Sequence, residues 1–219
     1  MPIFLIFIIL FVLWVRYETQ KNSRIETEDN QGFLERERQA NFTRKADLTK
    51  LDYIVVPLNE LPFSGNYEEV SSSYSLPEGL NDLTKSEILD CEQKIIALSH
   101  KKILNLGHMS NTDIKMEYGV ANLQILIQYD ENSSKLSRLL AKWGKLLFES
   151  GEEDAAEKVL AYAVSCKSDI EDVFITLAKI YRNNGNELGI SDLVEACQCF
   201  DELRRENICL LYTSPSPRD

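Results

Sequence analysis

The pattern of apolar and polar positions changes character several times along the chain. Residues 3–15 (IFLIFIILFVLWV) are apolar without interruption and stop at Arg16. Residues 18–50 mix charged and amide side chains, with Ile25, Phe33, Leu34, Phe42 and Leu48 as the large apolar positions. Residues 51–63 (LDYIVVPLNELPF) gather apolar and aromatic groups around Pro57 and Pro62, which forbid a helix and disfavour a central strand. This segment is expected to be extended, either docking on the protein's own helices, the favoured reading, or binding something else. Residues 64–80 (SGNYEEVSSSYSLPEGL) carry turn residues and predict a flexible acidic loop.

From Thr84 a helical period takes over. Thr84 and Glu87 form a capping-box pattern, and Ile88, Cys91, Ile95 and Leu98 share one face, so a helix is expected over about 84–105, with Gly107 ending it. Ser110-Asn111-Thr112-Asp113 offers the N-cap of a second helix bearing Ile114, Tyr118, Ala121, Ile125 and Tyr129. The polar run Asp130–Ser134 then predicts a break before a third.

Beyond it the chain matches itself. Gly151 and Gly185 stand 34 residues apart, and at that offset Leu140, Trp143, Gly144, Leu147, Ala156, Leu160 and Ala163 answer to Phe174, Leu177, Ala178, Tyr181, Ile190, Val194 and Cys197. The small residues Gly144 and Ala178 let two helices approach closely, and Gly151 and Gly185 suit a helix-ending turn. The period is that of a helix-turn-helix solenoid. Leu140-x2-Trp143-Gly144-x2-Leu147 and Phe174-x2-Leu177-Ala178-x2-Tyr181 resemble the tetratricopeptide repeat over about residues 137–200, although Ser168 and Glu202 stand where that family often has proline.

The resemblance implies an all-α fold, an antiparallel helix-hairpin solenoid of about six helices; the apolar run 3–15 and the charged stretch after it add a preceding transmembrane helix and a polar stalk. The helix pair within 81–133 would cap two repeats in 134–208. The resemblance also places the first helix of each repeat along a concave groove. Arg138, Ala141, Lys145, Phe148 and Glu149 would come from repeat one, and Asp172, Ile175, Lys179, Arg182 and Asn183 from repeat two. Lys145 and Lys179 are equivalent positions, so a carboxylate-bearing peptide or an acidic helix is one partner such a trough would take; an ordinary solvated helix face is the blander and favoured reading.

The ends are read separately. Residues 1–17 predict an uncleaved membrane anchor: Trp14 and Tyr17 suit an interfacial belt, although thirteen apolar residues span only about 20 Å of a roughly 30 Å hydrocarbon core. A cleaved signal peptide is the competing reading, against which stand the absence of a basic start and the bulky residues after the run. Arg16, Lys21 and Arg24 follow the span directly, which predicts a cytoplasmic body, the extracellular face being the alternative. Residues 18–50 read as a charged stalk. Residues 209–219 (CLLYTSPSPRD) resemble the in-frame translation of a sequencing-library adapter, so Cys209–Asp219 are expected not to be native; a Ser/Pro-rich tail is the alternative.

Charge and chemistry narrow the function. The net charge of −11 over 219 residues, with no Lys or Arg in 51–80, opposes binding to nucleic acid. The cysteines at 91, 166, 197, 199 and 209 lack metal or disulfide spacing, and two histidines, His100 and His108, are too few for a zinc site. His100 beside Lys101 and Lys102 suits a helix C-terminus, and His108 reads as an exposed loop residue. No phosphate-binding, dinucleotide, nucleophile-elbow or HExxH pattern occurs, and Ser64-Gly65 has no histidine near it in sequence. The expectation is a non-enzymatic, cofactor-free scaffold on a membrane that binds a protein or peptide, with the bilayer as second partner through residues 3–15. The layout resembles bacterial membrane-anchored proteins with such repeats. The alternatives are an accessory subunit of a membrane enzyme or transporter, a fragment of a larger enzyme, or a module released outside the cell.

Overall fold

The computed structural model describes residues 2–70 and 74–197; the side chains of 2–10, 20 and 22–29, and all of 198–219, lie outside the described set. Most of the apolar run 3–15 and the whole of the tail 209–219 therefore fall outside it. Every regular element among the described residues is a helix: α1 (Pro2–Asn41), α2 (Asp82–Ser99), α3 (Asn111–Tyr118), α4 (Val120–Glu149), α5 (Glu153–Ser165), α6 (Glu171–Asn183) and α7 (Glu187–Ala196). The all-α expectation holds. Among the described residues no helix is long and apolar enough to cross a membrane.

The chain divides into two compact units, one of residues 1–50 and 109–125, the other of 51–108 and 126–219. In the first, α1 continues through most of the expected stalk and pairs with α3. Arg36 lies 2.8 Å from Asp113, and Lys115 bonds Glu37 with both groups largely shielded from water. The Lys115 ammonium holds the Glu37 carboxyl below its ordinary range, and the Ser110 hydroxyl and amide, followed by Arg36, do the same for Asp113. Ser110 caps α3, as its sequence predicts, and does so in a full capping box with Asp113, which goes beyond the N-cap expected. The helix stops at Gly119, whose φ of 83° is open to glycine and whose missing Cβ would meet the Arg44 carbonyl oxygen at 2.5 Å. Asn122 then donates to the carbonyls of Ala46 (2.9 Å) and Tyr118 (2.7 Å), tying the chain after α1 to this turn.

The second unit carries the core. α2 begins earlier than expected, at Asp82 behind the N-cap Asn81, whose side chain accepts from Leu83 N. Thr84 therefore lies inside the helix and does not start it in a capping box with Glu87; the helix also ends earlier, at Ser99. The residues after it are worth more outside a helix. Ile103, Leu104 and Leu106 are all buried, and the backbone there bonds elsewhere: the Ile103 carbonyl takes Ile54 N (2.9 Å), and Leu104 N donates to the Tyr129 carbonyl (3.2 Å). The expected break at Asp130–Ser134 does not occur, because those polar side chains serve this crossing segment. Asp130 accepts from Leu106 N (2.7 Å), Asn132 donates to the Lys102 carbonyl (3.0 Å), and α4 runs on unbroken.

Residues 51–67 form a strap over this unit, the favoured of the two readings of the proline-containing segment. Val56, Leu61 and Phe63 are buried in the core cluster, and the Phe63 ring lies 5.0 Å from that of Trp143. At its start Lys102 sits 4.8 Å from the Tyr53 ring, which meets Tyr129 edge-on at 5.8 Å. At its end the fully buried Glu92 carboxylate accepts from Ser64 N (3.0 Å), Ser64 Oγ (2.8 Å) and Gly65 N (3.0 Å). Three donors on one carboxylate offset the cost of removing it from water. Ser64-Gly65 is thus a clasp and not part of a mobile loop.

Candidate interaction face

The helices from the second half of α4 onward repeat at the offset of the sequence. α4 ends at Glu149 and α6 at Asn183; α5 starts at Glu153 and α7 at Glu187. The turns repeat as well. Gly151 and Gly185 have φ of 83° and 66°, and behind them Glu152 N donates to the Leu147 carbonyl (3.0 Å) and Asn186 N to that of Tyr181 (2.8 Å). This is the six-to-one bond of a glycine-terminated helix, formed twice in register.

The packing positions lie where that register needs them. Leu140, Trp143, Leu147, Ala156, Leu160 and Ala163 are fully buried, and Phe174, Leu177 and Ala178 nearly so. A Cβ on Gly144 would stand 2.5 Å from the Leu160 side chain, so that side chain of α5 packs directly on the α4 backbone there. Tyr181 is half-buried against α7, close enough that a Cβ on Gly189 would meet its ring at 2.9 Å.

The residues assigned to a groove share the opposite property. Arg138, Lys145, Lys179 and Arg182 are exposed, whereas Phe148, Ala141 and Ile175 are half-buried and give the face an apolar floor. One contact joins the two first helices: Lys145 Nζ lies 3.4 Å from Asp172 Oδ2, with both side chains about half exposed. It places the Lys145 ammonium at the first turn of α6, while Lys179 stands seven residues on, about 10 Å along the helix. The lysines therefore do not meet at one point. They mark two places along one face, and the first is shared with a carboxylate. Asn183 turns away and donates to Glu153 on α5 (3.0 Å).

The turn beside this face is held from outside the repeats. The Tyr74 hydroxyl lies 3.2 Å from Glu152 Oε2, and the Tyr67 hydroxyl donates to the Leu89 carbonyl (3.3 Å). Burial first, and then the Glu152 and Glu92 carboxylates, push both phenols far above their ordinary values, so each remains a donor. Sequence reasoning placed Asp172 in the groove but missed its pairing with Lys145. It also missed the Glu92 clasp, for which an isolated Glu on the apolar face of α2 was the available signal.

Among the described residues no group of three or more His, Cys, Asp or Glu side chains could hold a metal ion. Cys91, Cys166 and Cys197 are buried, and burial raises the Cys91 and Cys166 thiols, which keeps them protonated. Comparison with known proteins gives no family to which the chain can be joined: no family profile, no curated protein and no solved structure matches it.

Proposed function

We propose that the second unit is a non-enzymatic, tetratricopeptide-like binding module that takes an acidic peptide or helix along α4 and α6. The observation that carries this reading is the face itself: a half-buried apolar floor of Ala141, Phe148 and Ile175 beneath four exposed cations, on two helices repeated in register. Two cationic positions about 10 Å apart along α6 suit carboxylates two helical turns apart on a bound helix. Asp172 sharpens the selectivity, because an incoming carboxylate at Lys145 must displace it, and a weakly acidic partner gains little there.

The same reading takes residues 3–15 as the tether. Its support is the apolar run in the sequence, with Phe11, Trp14 and Tyr17 exposed on α1. Tethering would raise the effective concentration of any partner held on the same membrane. Two measurements test the two parts. Titration of the full chain with a helical peptide bearing Glu at i and i+7 should show binding that Lys145→Glu/Lys179→Glu weakens at least about tenfold. Unchanged affinity in the double variant sinks the groove. Separately, the chain should float with lipid vesicles and residues 18–219 should not; flotation of the shortened chain sinks the tether.

A further inference from the structure

A cleft of about 380 Å³ opens in the second unit between the segment around Asn105–His108, one face of α4 and the turn Lys167–Asp169 between α5 and α6. The α4 face contributes Asp130, Ser133, Ser134 and Ser137, at i, i+3, i+4 and i+7 of a helix whose other side is core. Polar residues so deep in a helical unit normally spend their hydrogen bonds on the protein. Ser133 and Ser137 are only 4% and 5% exposed, yet neither hydroxyl has a partner among the described residues. Neither is sealed off; both are reached through the cleft.

The surrounding frame is satisfied, which separates it from these open groups. Asn105 donates to the Cys166 and Lys167 carbonyls (3.2 and 3.0 Å) and accepts from Gly107 N (3.1 Å), and Asp130 Oδ1 takes Leu106 N. What the frame leaves unspent is of both signs. The Lys167 ammonium and the His108 imidazole have no partner among the described residues, nor does the Asp169 carboxylate. No Phe, Tyr or Trp lines the cleft, and the His108 imidazole is the one ring at its edge.

We propose that this cleft binds a small zwitterion of the free amino-acid class. Lys167 and the two buried serine hydroxyls would take its carboxylate, and Asp169 with the second oxygen of Asp130 its ammonium. Inorganic phosphate fits the first half of that set and is repelled by the second. A neutral polyol satisfies the hydroxyls and leaves both charges unpaired. The site does not involve the α4–α6 face and stands or falls without it.

The full chain would be titrated by calorimetry and amide NMR with glycine, glutamate, phosphate and glycerol. An amino acid should bind with a Kd below about 1 mM and shift amides of 105–108, 130–137 and 167–169. Ser133→Ala/Ser137→Ala should weaken that binding at least about tenfold while leaving helicity and melting unchanged, because hydroxyls without partners contribute no fold. Lys167→Asn keeps a residue tolerant of the left-handed backbone and should weaken binding comparably. Absence of amino-acid binding at about 10 mM, stronger binding of phosphate or glycerol, or an unaltered Kd in the serine double variant would each overturn the proposal.

Discussion

The two repeats share one pattern and differ in how much of it they bury. In the first, Ala156 and Leu160 on α5 are fully buried; their equivalents on α7, Ile190 and Val194, are half-buried, and the neighbouring Leu188 is 80% exposed. The difference does not lie in the register, which keeps the same turns and helix ends. It lies in the neighbours. The α4–α5 hairpin has α6 on one side and, on the other, the strap and α2, through Phe63 on Trp143 and the Lys142–Glu87 ion pair (3.2 Å). The α6–α7 hairpin packs on α5 and otherwise meets α4 through the half-exposed Lys145–Asp172 contact, with no strap or second helix laid over its far side among the described residues. A repeat sequence therefore specifies which positions are available for burial, and stacking decides which of them are used.

Truncation at equivalent positions would break or sharpen that comparison most directly. Leu160→Ala should cost about 2–5 kcal/mol in chemical denaturation, and Val194→Ala less than about 1 kcal/mol. Equal losses would mean that α7 is as fully covered as α5. At the helix contact, Gly144→Val should cost about 1–3 kcal/mol, since its Cβ meets Leu160, while Ala178→Gly should cost about 1 kcal/mol through the helix alone.

The turns should behave alike. Gly151→Ala and Gly185→Ala each put a Cβ at positive φ in open space and should each cost about 1–2 kcal/mol by thermal unfolding. The turn between the repeats differs, because Lys167 occupies its left-handed position at φ 57°. Lys167→Gly should stabilise the fold by up to about 1 kcal/mol. The smallest effect belongs to the groove: Lys145→Ala removes a half-exposed ion pair and should change stability by less than about 1 kcal/mol.

The repeats were the most legible part because their information is local. A glycine after a helix and a small residue at a crossing are decided within one turn of chain, and Gly144, Gly151 and Gly185 fulfil both roles. The N-cap at Ser110 was legible for the same reason. The elements that differed depend on distant partners. Nothing near Ser99 announces a helix end, because what ends it is the demand for Ile103, Leu104 and Leu106 in the core. Nothing within Asp130–Ser134 says that these polar residues face a crossing segment rather than solvent. The face on α4 and α6 was legible as a set of exposed positions, but the 3.4 Å contact of Lys145 with Asp172 depends on how the two hairpins stack.

The strap has a consequence for how the chain comes to be folded. Phe63 leaves the ribosome 80 residues ahead of Trp143, the ring it rests on. At about 5–20 residues per second that is a wait of roughly 4–16 seconds, during which Val56, Leu61 and Phe63 have no α4 to cover. The hairpins that follow close over short sequence distances and form quickly once made, so the strap is set to arrive last, onto helices already built. Until it does, the Trp143 side of α4 lies open, and the nascent chain carries two complementary apolar surfaces that another copy could satisfy as readily as its own.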